Sequence, residues 1–469
     1  MTIIIYKAMV QALIGIGIVY IGILIMLSLR SRREIKSSTD FMLGGAKIGL
    51  ILGFMTFAAT LFSTFTLMGM PDFSRTHGVG AWLFLAFSDA VMVFFILWFG
   101  FYLRKRIGQQ SFRGMSSLLQ DCYQNKGVGY LYFTAAFLFL IPYVAIQIRG
   151  VAIFLLEAFP DFISVGFWSV LIVLIMLLYS ELGGLKAIIY ADFMQGTLLL
   201  IVVWLVAFNC LDQVGGWASL FEKINESNRT LLSPPGPKGL LTPQFLIASC
   251  IAIAMIPVTQ PQLSTRLVIM KNYKSLLRMA VAVGTFAMLI ILPTIIIGLY
   301  GALYYAEEST SGFLGTVLLQ EQHPIVAAVT IIGLFAAAMS TSDSQLFAMG
   351  NEFRGLLGAS KEDQLTPVRV AIIVFAIAAL LFSLVSSDEL VLLARLSFSG
   401  TGIMGPMIIL GILSKKPMGS FMIWFSALAL LIFILSQLNE VPQNIYSFRV
   451  DLALMILLSL GAFINYRLK

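Results

Sequence analysis

The chain has 469 residues, of which 59% are hydrophobic and only 11% charged. That composition excludes a soluble globular domain with a polar surface and defines an all-α polytopic membrane protein. The formal net charge of +7 does not point to nucleic acid, because the basic residues are scattered over short loops between apolar runs.

Apolar runs predict about 13 transmembrane helices, centred near Ile18, Ala59, Val93, Ile141, Val170, Leu199, Ile253, Ile290, Leu334, Ala376, Met404, Ala429 and Leu457. The last two are short. The first run lacks a basic leading segment and is too long for a signal-peptide core, so it is read as a retained helix. Lys and Arg concentrate on one side of this alternation, in clusters such as Arg30, Arg32, Arg33, Lys36 and Arg266, Lys271, Lys274, Arg278. Lys7, Arg75, Lys223, Arg229, Lys238 and Arg449 fall on the other side, and Arg149 and Arg395 within spans. The asymmetry predicts the N terminus outside and the C terminus in the cytoplasm.

The segment 212–242 carries Gly215-Gly216 and Ser233-Pro-Pro-Gly-Pro237 and reads as an external hinge loop. With the first span set aside, residues 40–211 hold five spans entering from the cytoplasm. Residues 243–416 hold five entering from outside, and 417–469 hold two more. Two five-helix units of opposite orientation, 5+5, are the mark of an inverted repeat, with residues 1–39 as an extra helix and loop before it. The first helix of each unit carries break signals. They are Thr60, Ser63, Thr64 and Thr66 ahead of Gly69-Met-Pro71, and Pro257-Val-Thr-Gln-Pro261. An unwound helix is tolerated at membrane depth where its freed carbonyls line a cavity or bind an ion.

The run Phe335-Ala-Ala-Ala-Met-Ser-Thr-Ser-Asp-Ser-Gln-Leu346 sets hydroxyls and a carboxylate inside an apolar helix. At 3.6 residues per turn Ala337, Ser340, Thr341 and Ser344 share one face. Counting about 1.5 Å per residue puts Ser340 and Ala59 at the same depth, near the midplane, so the two helices can share a site. Hydroxyls plus free carbonyls suit a monovalent hard cation such as Na⁺. Asp192 and Asp343 fall at a common, lower level, where with Ser344 they form a possible second cation site or a protonated, hydrogen-bonded pair. Asp89 and Arg149 also match in depth, as an ion pair or with Arg149 holding a substrate carboxylate. Gln147 is a further polar candidate beside Arg149. Arg395 is close enough to its span's outer end to snorkel.

Cys122, Cys210 and Cys250 form no disulfide framework, and the two histidines, His77 and His323, belong to no catalytic motif. Enzymatic chemistry is therefore not expected. A membrane sensor built like a transporter and an intramembrane enzyme around Asp192 and Asp343 are the alternatives.

Ala336-Ala-Ala-Met-Ser-Thr-Ser-Asp-Ser-Gln345 together with Gly183-Gly-Leu-Lys-Ala-Ile-Ile-Tyr-Ala-Asp-Phe-Met-Gln195 resembles the sodium:solute symporter family. Leu67-Met-Gly-Met-Pro71 and the basic turn at Arg266 are also similar to it, and the likeness runs from about Asp40 to Lys416. The resemblance implies a leucine-transporter-like fold and a Na⁺-coupled symporter importing a small organic solute by alternating access, a carboxylate or amino-acid-like one being favoured. It places the principal Na⁺ site on Ala59, Phe62, Ala337, Ser340 and Thr341. In some members a further Na⁺ site uses the positions of Asp192, Asp343 and Ser344, one of which carries a carboxylate here in place of a hydroxyl. Solute is expected between the breaks, at Thr60, Ser63, Thr64, Asp89, Gln147, Arg149, Thr259 and Gln260, with Ser397, Ser399 and Thr401 nearby. Leu61 stands where proline-carrying relatives have Asp. The implied partners are the solute, Na⁺ and the lipid bilayer, with no nucleic acid and no obligate protein partner, and the implied location is a bacterial inner membrane.

Overall fold

The computed structural model describes residues 3–33, 38–44, 48–108, 112–159, 164–357 and 365–468. Lys36, counted above among the basic clusters, lies outside them. Within lipid every backbone polar group must be satisfied inside its own segment, so long apolar runs become helices.

In chain order these are α1 (Ile3–Arg32), α2 (Ser38–Leu43) and α3 (Leu50–Leu61), then a π-helical turn, Phe65–Gly69, leading into α4 (Met70–His77). A short α5 (Gly80–Trp82) and a second π turn, Leu83–Phe87, run into α6 (Ser88–Ile107). There follow α7 (Met115–Tyr123), α8 (Lys126–Ala158), α9 (Val165–Val214) and α10 (Trp217–Asn228). The second broken helix is α11 (Pro243–Ala254), α12 (Ile256–Thr259) and α13 (Pro261–Ile269). Then come α14 (Tyr273–Tyr304), α15 (Thr310–Gly315), α16 (Pro324–Leu356), α17 (Leu365–Val385), α18 (Leu390–Gly402) and α19 (Gly405–Leu413). The chain closes with α20 (Phe421–Gln437), a hairpin pairing Asn444 with Arg449, and α21 (Val450–Arg467).

Among the described residues nine helices are long and apolar enough to cross a membrane, or ten if the bent pair Leu50–Leu61 and Phe65–His77 counts as one span. The remaining expected centres, Val170, Ile253 and Ala429, fall on shorter apolar helices. α9 carries two expected spans, because Gly184 leaves helical geometry at φ 61°, ψ −171°. A side chain there would meet the Phe41 ring at 2.8 Å, so the corner needs glycine for space as well as conformation.

The segment 212–242 is not a free hinge. It forms α10 and a 3₁₀ turn, and the Leu231 carbonyl accepts from Val79 N at 2.8 Å, docking it beside the C-terminal end of α4. The helix α16 lies at the centre, packed against α1, α3, α8 and α9.

The helix α14 crosses α4 at Gly298, where an added methyl would lie 2.4 Å from Ser74 Cβ and 2.5 Å from the Pro71 carbonyl. The second contact is backbone and cannot move aside. Gly298→Ala is therefore expected to destabilise the protein by about 1–3 kcal/mol, seen as a lowered melting midpoint in detergent. An unchanged midpoint would show that the crossing has slack.

Candidate functional site

The two broken helices pack against α16, and the first break falls within the stretch from Thr60 to Thr66 that signalled it. The helix α3 stops at Leu61, Phe62 is extended at φ −94°, ψ 122°, and the chain bends by 54° before Phe65. Gly69-Met-Pro71 lies inside continuing helix, since Pro at the start of α4 lacks only an N–H that the preceding π turn does not need. In the second, the chain leaves the helix at Gln260, at φ −101°, ψ 122°, ahead of Pro261.

Carbonyls freed by the first break turn toward neighbours. Thr341 Oγ1 on α16 donates to Ala59 O and Thr60 O, each at 3.3 Å. Tyr143 OH on α8 donates to Leu61 O at 3.1 Å, and Gln147, one turn further, accepts from Thr64 N at 3.2 Å. Ser63 N is capped by Thr66 Oγ1 and Phe65 N by Ser63 Oγ. Across the second break Thr259 Oγ1 bonds back to Met255 O, Tyr132 OH donates to Thr259 O, and Gln260 Nε2 reaches Thr401 Oγ1 at 3.4 Å. Ser397 and Ser399 are buried with hydroxyls unpartnered in the fold. Neutral oxygens on α3 and α16 thus converge with no carboxylate among them, the donor set a monovalent hard cation accepts.

Ser340 does not join Thr341. Its hydroxyl donates to Asp192 Oδ1 at 2.6 Å, and Thr56 donates to Asp192 Oδ2 at 2.5 Å. Neighbouring residues on α16 are 100° apart around the helix, so one hydroxyl faces the break and the other faces α9. Arg266, counted in the sequence with the cytoplasmic flank, is wholly buried here. It donates to Ser344 Oγ at 2.5 Å and Gln262 O at 2.9 Å, and it stands 3.7 Å from Asp192 Oδ2. Thr60 Oγ1 lies 3.0 Å from Ser344 Oγ, which links this lower cluster to the break. Asp343 does not face Asp192 through a hydrogen bond, and both its oxygens are buried without a partner. Arg266 was legible only as a basic residue five places after Pro261, with nothing local to turn it inward.

The expected pair of Asp89 with Arg149 is not formed. Arg149 Nε bonds Asp388 Oδ1 at 2.8 Å toward the surface, while Asp89 is fully buried elsewhere. Equal depth fixed their level but not their direction around α6 and α8. Arg395 bonds Asp451 at 2.5 Å and Ser249 at 2.9 Å, with its guanidinium over the Phe245 ring.

Two interrupted helices packed on a central polar helix define a secondary transporter of the leucine-transporter-like, inverted-repeat class. The model of the sodium:solute symporter family matches residues 41–422, and the chain belongs to that family. It is an integral membrane protein that couples Na⁺ to the import of a small organic solute. It is 26% identical to the sodium/pantothenate symporter of Haemophilus influenzae, the match covering 67% of this chain and 65% of the relative. It is 25% identical to a sodium/proline symporter of Staphylococcus aureus, over 82% of this chain and 77% of that one. Its fold is similar to that of a Na⁺-coupled sialic acid symporter in a substrate-bound outward-open state, with a TM-score of 0.79 at 18% identity over 98% and 96% of the two chains. Mhp1, a nucleobase-cation-symport-1 family transporter, aligns with a TM-score of 0.60 at 13% identity over 91% and 93%.

Proposed function

We propose that one Na⁺ is held between the break in α3 and the face of α16, by carbonyl oxygens of Ala59 and Phe62 and by Ala337 and Thr341, and that Ser340 serves this site from its edge through Asp192. The observation that carries this is Thr341 Oγ1 lying 3.3 Å from each of two successive carbonyls, those of Ala59 and Thr60. The lower station of Asp192, Asp343 and Ser344 takes no second Na⁺, because the Arg266 guanidinium already supplies the positive charge there. The solute lies between the breaks, against Thr60, Ser63, Thr64, Gln147, Thr259, Gln260 and Asp89. An amino-acid-like solute fits this set better than a simple carboxylate, since Arg149 is engaged by Asp388. The relatives' pantothenate and proline are small organic solutes of the same scale.

The repeats occupy 40–211 and 243–416 in a bacterial plasma membrane, with the N terminus outside, as the basic loop residues imply. Moving one positive charge inward through 100 mV supplies about 2.3 kcal/mol, or roughly fiftyfold accumulation of a solute without net charge. One Na⁺ per cycle is therefore enough. The cluster around Asp192 is occupied by internal hydrogen bonds, which favours a transport role over an intramembrane enzyme or sensor.

The test is reconstitution of the full chain in sealed vesicles with an inward Na⁺ gradient and a labelled solute panel. Uptake is expected to be electrogenic, to collapse when the gradient is dissipated, and to depend on Na⁺ with a Hill coefficient near one. Uptake indifferent to Na⁺ would refute the coupling scheme, and a coefficient near two would refute the role given to Arg266.

A further inference from the structure

Asp89 occupies the first turn of α6, directly after the π turn Leu83–Phe87. It is fully buried, and neither carboxyl oxygen has a hydrogen-bond partner. Among the described residues the ion pairs of Arg75, Arg149, Arg266, Arg395 and Arg449 all go to other carboxylates. A carboxylate in this position is costly to the fold, and such groups persist in membranes where function requires them.

Its surroundings indicate that function. Asp89 lines a small cavity of ≈ 10 Å³ with Leu61, Phe62, Phe65, Tyr143 and Phe398. Ile253 and Ile256, flanking the second break, complete the wall, so the cavity lies between the two interrupted helices. Tyr143 and Phe398 meet edge to face at 5.1 Å, as do Phe65 and Phe398 at 6.2 Å. Aromatic rings beside a lone buried carboxyl favour one kind of group, a positively charged nitrogen. The rings can offer a π face and the carboxylate an ion pair weakly screened by solvent. A sugar hydroxyl or a second carboxylate gains nothing comparable here.

We propose that Asp89, with the rings of Phe65, Tyr143 and Phe398, receives an ammonium or quaternary ammonium group of the transported solute, which makes the solute a zwitterion or a cation. This rests on the symport reading and narrows its substrate. The cavity has room for about one water molecule. Entry of the solute therefore needs the arms of α3 and α12 to part, which the extended residues Phe62 and Gln260 permit. With a zwitterion, each cycle still carries one net positive charge inward.

The experiment uses the full chain reconstituted in vesicles and, separately, in detergent for thermal unfolding. The probes are glycine betaine, choline and L-proline, set against D-glucose and L-lactate, each with and without Na⁺. Expected are Na⁺-driven uptake, or Na⁺-dependent stabilisation, by one or more of the nitrogen cations and by neither of the others. Asp89→Asn is expected to raise the half-saturating concentration roughly thirtyfold or more, on the scale of losing one partner of a buried charge pair. The same variant should keep its stabilisation by Na⁺ alone. Phe398→Leu keeps the carboxylate and removes a ring, and it should weaken the same solutes about fivefold. Affinity within twofold of the parent in both variants, or transport confined to glucose or lactate, would overturn the proposal. If the parent protein shows no stabilisation by Na⁺ and no Na⁺-driven uptake of any solute, the symport reading itself fails and this one with it.

Discussion

Thr341→Ala is expected to weaken the Na⁺ dependence of uptake by about tenfold or more while leaving a folded protein. The Thr341 hydroxyl is the one side-chain oxygen that reaches the freed carbonyls of Ala59 and Thr60, at 3.3 Å each. At the proposed site a hard cation between α3 and α16 would exchange its water shell for these oxygens. Losing one should weaken Na⁺ by at least about tenfold, the lower end of what disturbing a ligand shell costs. Thr341→Ser keeps the oxygen and should retain most of the affinity. The measurement is the Na⁺ concentration that half-saturates uptake, alongside the rise in unfolding temperature with Na⁺, which follows ligand concentration by mass action. Equal Na⁺ response in Thr341→Ala and the parent would remove Thr341 from the site.

Arg266→Met should be the more damaging change, because it acts on stability first. Arg266 and Asp192 have side chains 1% and 0% exposed and stand 3.7 Å apart. Removing one member of a buried pair leaves the other charged without compensation, which costs about 3–5 kcal/mol. Most of the protein should then fail to reach the membrane in a folded form. The double replacement Arg266→Met with Asp192→Asn removes both charges and keeps an acceptor for one of the Ser340 and Thr56 hydroxyls, with an amide N–H to donate to the other. It should recover folded protein, losing much less stability than the sum of the two single replacements. Size-exclusion profiles and unfolding midpoints of the four proteins give the answer. A stable Arg266→Met single variant, or a double variant no better than it, would mean that the guanidinium does not compensate Asp192.

The polar stretch on α16 shows how far residue order carries. Its position in an apolar run, the common face of Ala337, Ser340, Thr341 and Ser344, and its depth match with Ala59 were all legible, because they depend on helix geometry alone. The meeting of Thr341 with Ala59 follows from that depth match. The parting of Ser340 from Thr341 does not, because it depends on where α9 stands relative to α3 around the α16 axis. Arg149 fails for the same reason, since its partner Asp388 is 239 positions away and lies toward the surface. The first break falls at Phe62 to Thr64, within the hydroxyl-bearing stretch that signalled it, while Pro71 lies in continuing helix, where its missing N–H is tolerated.

Residue order by itself determined that this is a polytopic membrane protein, where its apolar runs lie, that two of them are interrupted, and which helix carries the cluster of hydroxyls. These are properties of hydropathy, backbone chemistry and helical period, all local along the chain. Only the tertiary structure decided which polar groups meet. It assigned Asp192 to Ser340, Thr56 and Arg266, sent Arg149 outward, and left Asp89 alone among aromatic rings. The physical reason is that residue counting gives a side chain's height in the membrane, whereas its partner is set by the rotation of one packed helix against another.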